Sequence, residues 1–220
     1  MKGVAPTAVA LIVGCIAVHA QDWDAQASVI VDAMTTDQAT TRLSTPTSGL
    51  GDNYGWSAAD WRVAITQIQD IHVRTNGNPI IFGLDSLHGA DYIKGVIFPH
   101  QINVGATFDA SFAQRLGQFT GRDTKAAGVN WIFGPCLEPA RHKAWPRIME
   151  TFGEDPLVVT EMGKAVIEGI QSNNVAACFK HYIGNSASAS GKDRDPVALT
   201  RHELLNIFMP PFKPPSTPAS

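Results

Sequence analysis

Two rhythms of apolar and polar positions alternate along this chain. Short unbroken apolar runs give way to longer stretches with helical spacing, and the cycle repeats. The run "NPIIFG" (78–83) is β-branched and aromatic, which predicts a strand buried on both faces. In "DASFAQRLGQFTGRDTKAAG" (109–128), Phe112, Leu116 and Phe119 stand four and three apart. Asp109 is placed to cap that helix and Gly128 to stop it. "VNWIFGP" (129–135) is the next strand candidate. "DPLVVTEMGKAVIEGIQSN" (155–173) follows as a helix, with Asp155 at the N-cap and Pro156 at the first helical position. "VAACFKHYIG" (175–184) is a third strand, and "TRHELLNIF" (200–208) opens a helix with Thr200 and Glu203 spaced as a capping box.

Upstream, 26–34 and 58–75 also carry helical spacing, whereas 40–57, rich in Thr, Ser and Gly, reads as loop. The strand-to-strand step of roughly 45–50 residues suits βαβ units with generous loops. Parallel strands in such units make either a barrel or a doubly wound sheet. Polar residues gather at the strand ends, in "LDSLHG" (84–89), "PCLEPARHKAWPR" (135–147) and "KHYIGN" (180–185). Both architectures bind ligands at that rim.

Composition narrows the function classes. A chain of 220 residues with 44% hydrophobic and 17% charged residues can bury a substantial core. The net charge of −3 gives no basic field for nucleic acid, and no long run of one sign suggests a membrane surface. The first twenty residues, "MKGVAPTAVALIVGCIAVHA", combine Lys2, an apolar run from Val9 to Val18 and small residues before the break after Ala20. They read as a secretory signal peptide, which predicts a secreted chain starting at Gln21 and no membrane attachment after cleavage. The competing reading is an N-terminal anchor, but spanning a bilayer takes about 20 apolar residues. Cleavage would leave Cys136 and Cys178, too few for a disulfide scaffold, so both read as buried thiols, with a single bridge the alternative. No Asn-x-Ser/Thr sequon occurs.

Four strand-end residues carry candidate chemistry. Asp85 follows a buried strand, and its carboxylate can accept two hydroxyl hydrogens at once, as vicinal sugar hydroxyls require; the structural alternative is a turn cap. Lys180 and His181 are adjacent at the end of another strand, so both face one ligand only if the backbone twists there. Arg147 could fork onto paired hydroxyls or sit as a surface charge, and Trp145 could stack on a ring or belong to the core. His88 reads as structural, bonded to backbone. The run "KDR" (192–194) reads as a solvated face without a catalytic role. No zinc spacing, GxSxG elbow, GxGxxG turn or Walker loop is present. His88, His142 and His181 stand at strand ends without evident further ligands, which disfavours a metal site.

In order, "GLDSLHGA", "FPHQINVGATFD", "RDTKAAGVNWIFGPCLEPAR", "WPRIMETFGEDP", "VAACFKHYIG" and "LLNIFMPPFK" resemble the N-terminal domain of family 3 glycoside hydrolases, the β-glucosidase and exo-glucanase group. The likeness runs from about residue 23 to 213, leaving 214–220 as a Pro-rich tail. It implies a (β/α)8 TIM-type barrel with parallel strands and flanking helices, and hydrolysis of terminal β-D-glucosyl bonds in β-glucosides or oligosaccharides. It further implies that Asp85, Arg147, Lys180 and His181 bind the glucose at the non-reducing end, with no metal or organic cofactor.

Three departures qualify that likeness. Retaining glycosidases need a nucleophile and an acid/base at roughly 5–5.5 Å. The family carries these on segments after the "PPFK" block, so the catalytic pair is expected beyond residue 220. A closed barrel also takes about 250 residues, so an incomplete barrel is expected here. The first barrel strand is weak, with "ATTRLSTPTSG" in place of an apolar run. The alternative function is a non-catalytic sugar-binding fragment. A more distant one uses Lys180 as a Schiff-base lysine.

Overall fold

The computed structural model describes residues 56–213 and the backbone of Leu43–Ser44. The signal-peptide reading of 1–20, the helix candidate at 26–34 and the tail at 214–220 lie outside those residues. Strands β1 (Leu43–Ser44), β2 (Ile81–Leu84), β3 (Trp131–Ile132) and β4 (Ala176–Ala177) form one sheet in the order β1-β2-β3-β4, every neighbouring pair parallel. The described residues are thus an α/β arc of parallel strands with helices between them, as expected of part of a TIM-type barrel. The 40–57 stretch is not wholly loop: Leu43 pairs with Ile81 and Ser44 with Phe82. Backbone pairing supplied by β2 outweighs the weak strand propensity of a Thr/Ser-rich segment.

Helix α1 (Ala58–Asn76) precedes β2, and its first turn is closed by a Ser57–Asp60 capping box. A short helix α2 (Gln101–Gly105), which the apolar pattern does not predict, leads to α3 (Ala110–Ala126). Asp109 caps α3 by accepting from the Ser111 amide, as expected. Helix α4 (Pro156–Gln171) starts with Asp155 accepting from the Leu157 amide and Pro156 at its first position. The Thr200–Glu203 capping box forms as well, but α5 (Arg201–Glu203) is a single turn continued by a π-helical turn over Leu204–Phe208.

The strands are shorter than their apolar runs, yet the arms beyond them stay paired. The Lys180 amide donates to the Pro135 carbonyl at 2.9 Å, and the Leu137 amide donates to the Lys180 carbonyl at 2.7 Å. Strand β2 is not buried on both faces throughout, since Ile81 is exposed.

The expected apolar stripe of α3 is also only partly the buried one. Leu116 is core, but Phe112 and Phe119 are exposed, and the inward face is Ala113, Leu116, Gly117, Thr120, Gly121 and Thr124. The cause is a close crossing with α4. A Cβ on Gly117 would lie 2.3 Å from the Val166 carbonyl oxygen, and one on Gly169 would lie 2.2 Å from that of Gln114. Small residues let the two backbones meet, so the large aromatics move to the flanks. There Phe119 stacks on Phe98 with centroids 5.8 Å apart. Leu116, Ile132, Val159, Met162, Val166 and Ala177 share the main core, and Trp61, Ile65, Phe82 and Val129 form a second one under α1.

Candidate functional site

The carboxyl ends of β2, β3 and β4 deliver their polar side chains to one cluster. Asp85 stands directly after β2, Trp145 to Glu150 come from the loop after β3, and Lys180 and His181 end the arm that extends β4. Lys180 Nζ donates to Asp85 Oδ1 at 2.6 Å and lies 3.9 Å from Glu150 Oε2. Arg147 forks onto Glu150, Nε to Oε1 at 2.7 Å and Nη2 to Oε2 at 2.8 Å. Arg147 Nη1 also lies 4.0 Å from Asp193 Oδ1, which accepts from the Trp145 indole nitrogen at 3.2 Å. His181 meets Trp145 edge to face, centroids 6.1 Å apart. The four residues singled out from the sequence therefore stand together. The Lys180–His181 peptide is cis, and both side chains join the cluster.

The electrostatics are uneven across it. Asp85 has 44% of its side chain exposed while Lys180 has 14%, so the carboxylate faces the open mouth and the ammonium lies behind it. An ion pair that open adds little to stability. Its oxygens stay accessible for a ligand. His181 is held neutral: burial, then the Arg147 and Lys180 charges, push its pKa down to about 3. Its Nδ1 is buried without a hydrogen-bond partner, so the second ring proton of the imidazolium would find no acceptor there. Arg147 keeps its charge. Burial opposes it, but the bonded Glu150 carboxylate and then Asp193 outweigh the loss and raise its pKa. Arg194, exposed at the rim, lies 3.7 Å from Asp193, so three cations and three carboxylates balance across the cluster. Donors and acceptors alternate around it, an arrangement suited to a neutral polyhydroxylated ligand that both donates and accepts.

Several members were not singled out from sequence. Glu150 is the hub that joins Arg147 to Lys180; it was not singled out, although it lies inside the "WPRIMETFGEDP" block three residues after Arg147. Asp193 corrects the reading of 192–194 as a solvated face: Lys192 and Arg194 are exposed, but Asp193 turns inward to Trp145 and Arg147. Trp145 is 1% exposed, so it is a buried wall of the site rather than an open stacking platform. His88 bonds backbone as expected, its Nδ1 lying 2.9 Å from the Phe98 carbonyl oxygen. Glu138, fully buried just past β3, also went unmarked.

Residues 16–215 match the family model for the glycosyl hydrolase family 3 N-terminal domain. A lysosomal beta glucosidase of Dictyostelium discoideum is 39% identical over 186 residues, covering 77% of this chain and 23% of that protein. A beta-glucosidase of Rhizobium radiobacter is 28% identical over 184 residues, covering 84% of this chain and 21% of its own length. The chain thus spans under a quarter of the length of these relatives. Among solved structures, a beta-glucosidase from Listeria innocua in complex with laminaribiose is 29% identical with a TM-score of 0.64, covering 71% of this chain and 22% of the other. An exo-1,3/1,4-beta-glucanase from a Pseudoalteromonas species matches in fold with a TM-score of 0.74 at 24% identity, over 86% of this chain and 28% of the other.

Proposed function

The chain belongs to glycosyl hydrolase family 3, and from that premise we propose that it supplies the glucose-binding wall of a retaining β-glucosidase-type enzyme, one that hydrolyses terminal β-D-glucosyl bonds in β-glucosides or oligosaccharides. The observation that carries this reading is the continuous array Asp85–Lys180–Glu150–Arg147 beside a neutral His181. Asp85 accepts from two hydroxyls, Lys180 and Arg147 donate to hydroxyl oxygens, and the neutral imidazole exchanges one further hydrogen bond. Such charge-assisted bonds are worth about 1.5–3 kcal/mol each. They hold the pyranose so that its anomeric carbon is presented to the reacting carboxylates.

Those carboxylates are a separate matter. Among the described residues, Asp85, Glu150 and Asp193 are each already engaged with a cation or the indole. That engagement favours binding over nucleophilic attack for all three. The family likeness assigns the nucleophile and acid/base to segments that follow in the longer relatives. A non-catalytic sugar-binding role is the second reading, favoured by the engagement of all three site carboxylates among the described residues. Secretion, suggested by the sequence of 1–20, is proposed with it.

A p-nitrophenyl β-D-glucoside assay run beside a D-glucose titration tests both. Turnover that is lost in Lys180→Met supports the hydrolase reading for this chain. Glucose binding without turnover supports the binding role. Neither binding nor turnover would remove the sugar reading altogether.

A further inference from the structure

We propose that Glu138 is a positioning residue of the sugar site, whose buried carboxylate clasps the loop after β4 and thereby fixes His181 against Trp145. The inference rests on the sugar-binding reading given above. Backbone pairing between the two strand-end arms breaks off after Lys180, whose amide and carbonyl bond Pro135 and Leu137, and resumes only where the His142 amide meets the Ser186 carbonyl. Glu138, the next residue, takes over with its side chain. One carboxylate oxygen accepts from the Gly184 amide at 3.1 Å. The other accepts from the Ser186 amide at 3.3 Å and the Ser186 hydroxyl at 3.2 Å. The single hydrogen of that hydroxyl is shared with the nearer Pro139 carbonyl, and the Ser186 carbonyl accepts from the His142 amide at 3.0 Å.

The clasp therefore reaches both halves of the site. His181 lies between two anchors, the paired Lys180 on one side and the clasped Gly184–Ser186 on the other. Trp145 hangs from His142, its amide donating to the His142 carbonyl at 2.9 Å. The segment that carries His181 and the segment that carries Trp145 thus share one attachment at Ser186. No lysine, arginine or histidine among the described residues forms an ion pair with Glu138. A fully buried carboxylate without a cation is a costly way to fill space. Its oxygens serve instead as acceptors for the Gly184 and Ser186 amides, which the sheet does not reach, and share the Ser186 hydroxyl with the Pro139 carbonyl.

The test uses Glu138→Gln, which puts an amide donor against one of these donors, and the milder Ser186→Ala, which removes only the hydroxyl. Two readouts are taken on each: the His181 ring resonances, assigned by their loss in His181→Asn, and D-glucose affinity by calorimetry. With circular dichroism unchanged, both variants are expected to shift the His181 resonances while those of His72 stay put, and to weaken glucose binding by about tenfold. Folded variants with unmoved His181 resonances, or with glucose affinity within about twofold of the parent, would overturn the clasp. Should Glu138→Gln not fold, Ser186→Ala decides alone. If the unmodified chain binds no glucose, the sugar reading fails by itself, and the His181 resonances then decide the clasp.

Discussion

Glu150→Gln is the substitution that bears hardest on the site as a network. Glu150 receives both prongs of Arg147 at 2.7 and 2.8 Å and lies 3.9 Å from Lys180. The three side chains are only 14–20% exposed, so water replaces little of what is lost. Glutamine keeps the shape and one acceptor oxygen. It removes the charge that holds two cations close together and points an amide donor at a guanidinium. Removing one partner of a fully buried pair costs about 3–5 kcal/mol. Lys180 retains Asp85 and Arg147 retains Asp193 nearby, so about 2–3 kcal/mol is expected here. Guanidinium unfolding reads this as a lower midpoint at unchanged slope. The double variant Arg147→Met/Glu150→Gln removes the stranded charge. It should therefore be more stable than the sum of the single changes by about 1 kcal/mol or more. A single variant within about 0.5 kcal/mol of the parent, or strictly additive losses, would refute the network.

Four further outcomes follow from the structure. His181, with its folded pKa near 3 against an ordinary value near 6.5, takes up its proton first in the unfolded chain. Its contribution to stability is full above about pH 6.5 and is lost as pH falls from there toward 3, so His181→Asn should flatten that part of a midpoint-versus-pH profile. Gly117→Ala, whose new Cβ would stand 2.3 Å from the Val166 carbonyl oxygen, should cost about 1–3 kcal/mol by thermal or chemical unfolding. Leu116→Ala on the same face should cost about 2–5 kcal/mol by leaving a cavity. Cys136 is fully buried, and burial pushes its thiol pKa up to about 12. Peptide mass spectrometry after iodoacetamide treatment at mild pH should find it unmodified in the native chain and modified in denaturant.

Much of the site was legible because its residues sit where the hydrophobic pattern changes. Asp85, Lys180 and His181 each follow a run whose burial is dictated by its composition, so a polar residue there has to face the rim. Arg147 was legible through the six ordered family blocks more than through its own loop. Asp193 was not, because its partner Trp145 is 48 residues away, and for Glu150 only the fork from Arg147, three residues off, was within local reach, whereas its approach to Lys180, thirty residues on, was not. Nothing local distinguishes such a carboxylate from a solvated one. Helix boundaries followed caps that act within one turn, as at Asp109 and Asp155. The buried face of α3 followed a neighbour instead. Spacing marks Phe112 and Phe119 as apolar, but the close approach of α4 through Gly117 and Gly169 selects the small residues for the interior. Strand β1 likewise exists by pairing with β2 rather than by its own propensity.

The central claim is that Asp85, Arg147, Lys180 and His181 line one mouth built for a single pyranose. A crystal structure of the chain soaked in D-glucose tests it most directly. The sugar should sit with its hydroxyls in hydrogen-bond contact with the Asp85 carboxylate, the Lys180 ammonium, the Arg147 guanidinium and the His181 ring at once. Glucose bound away from these four, or an empty mouth at saturating sugar, would contradict it.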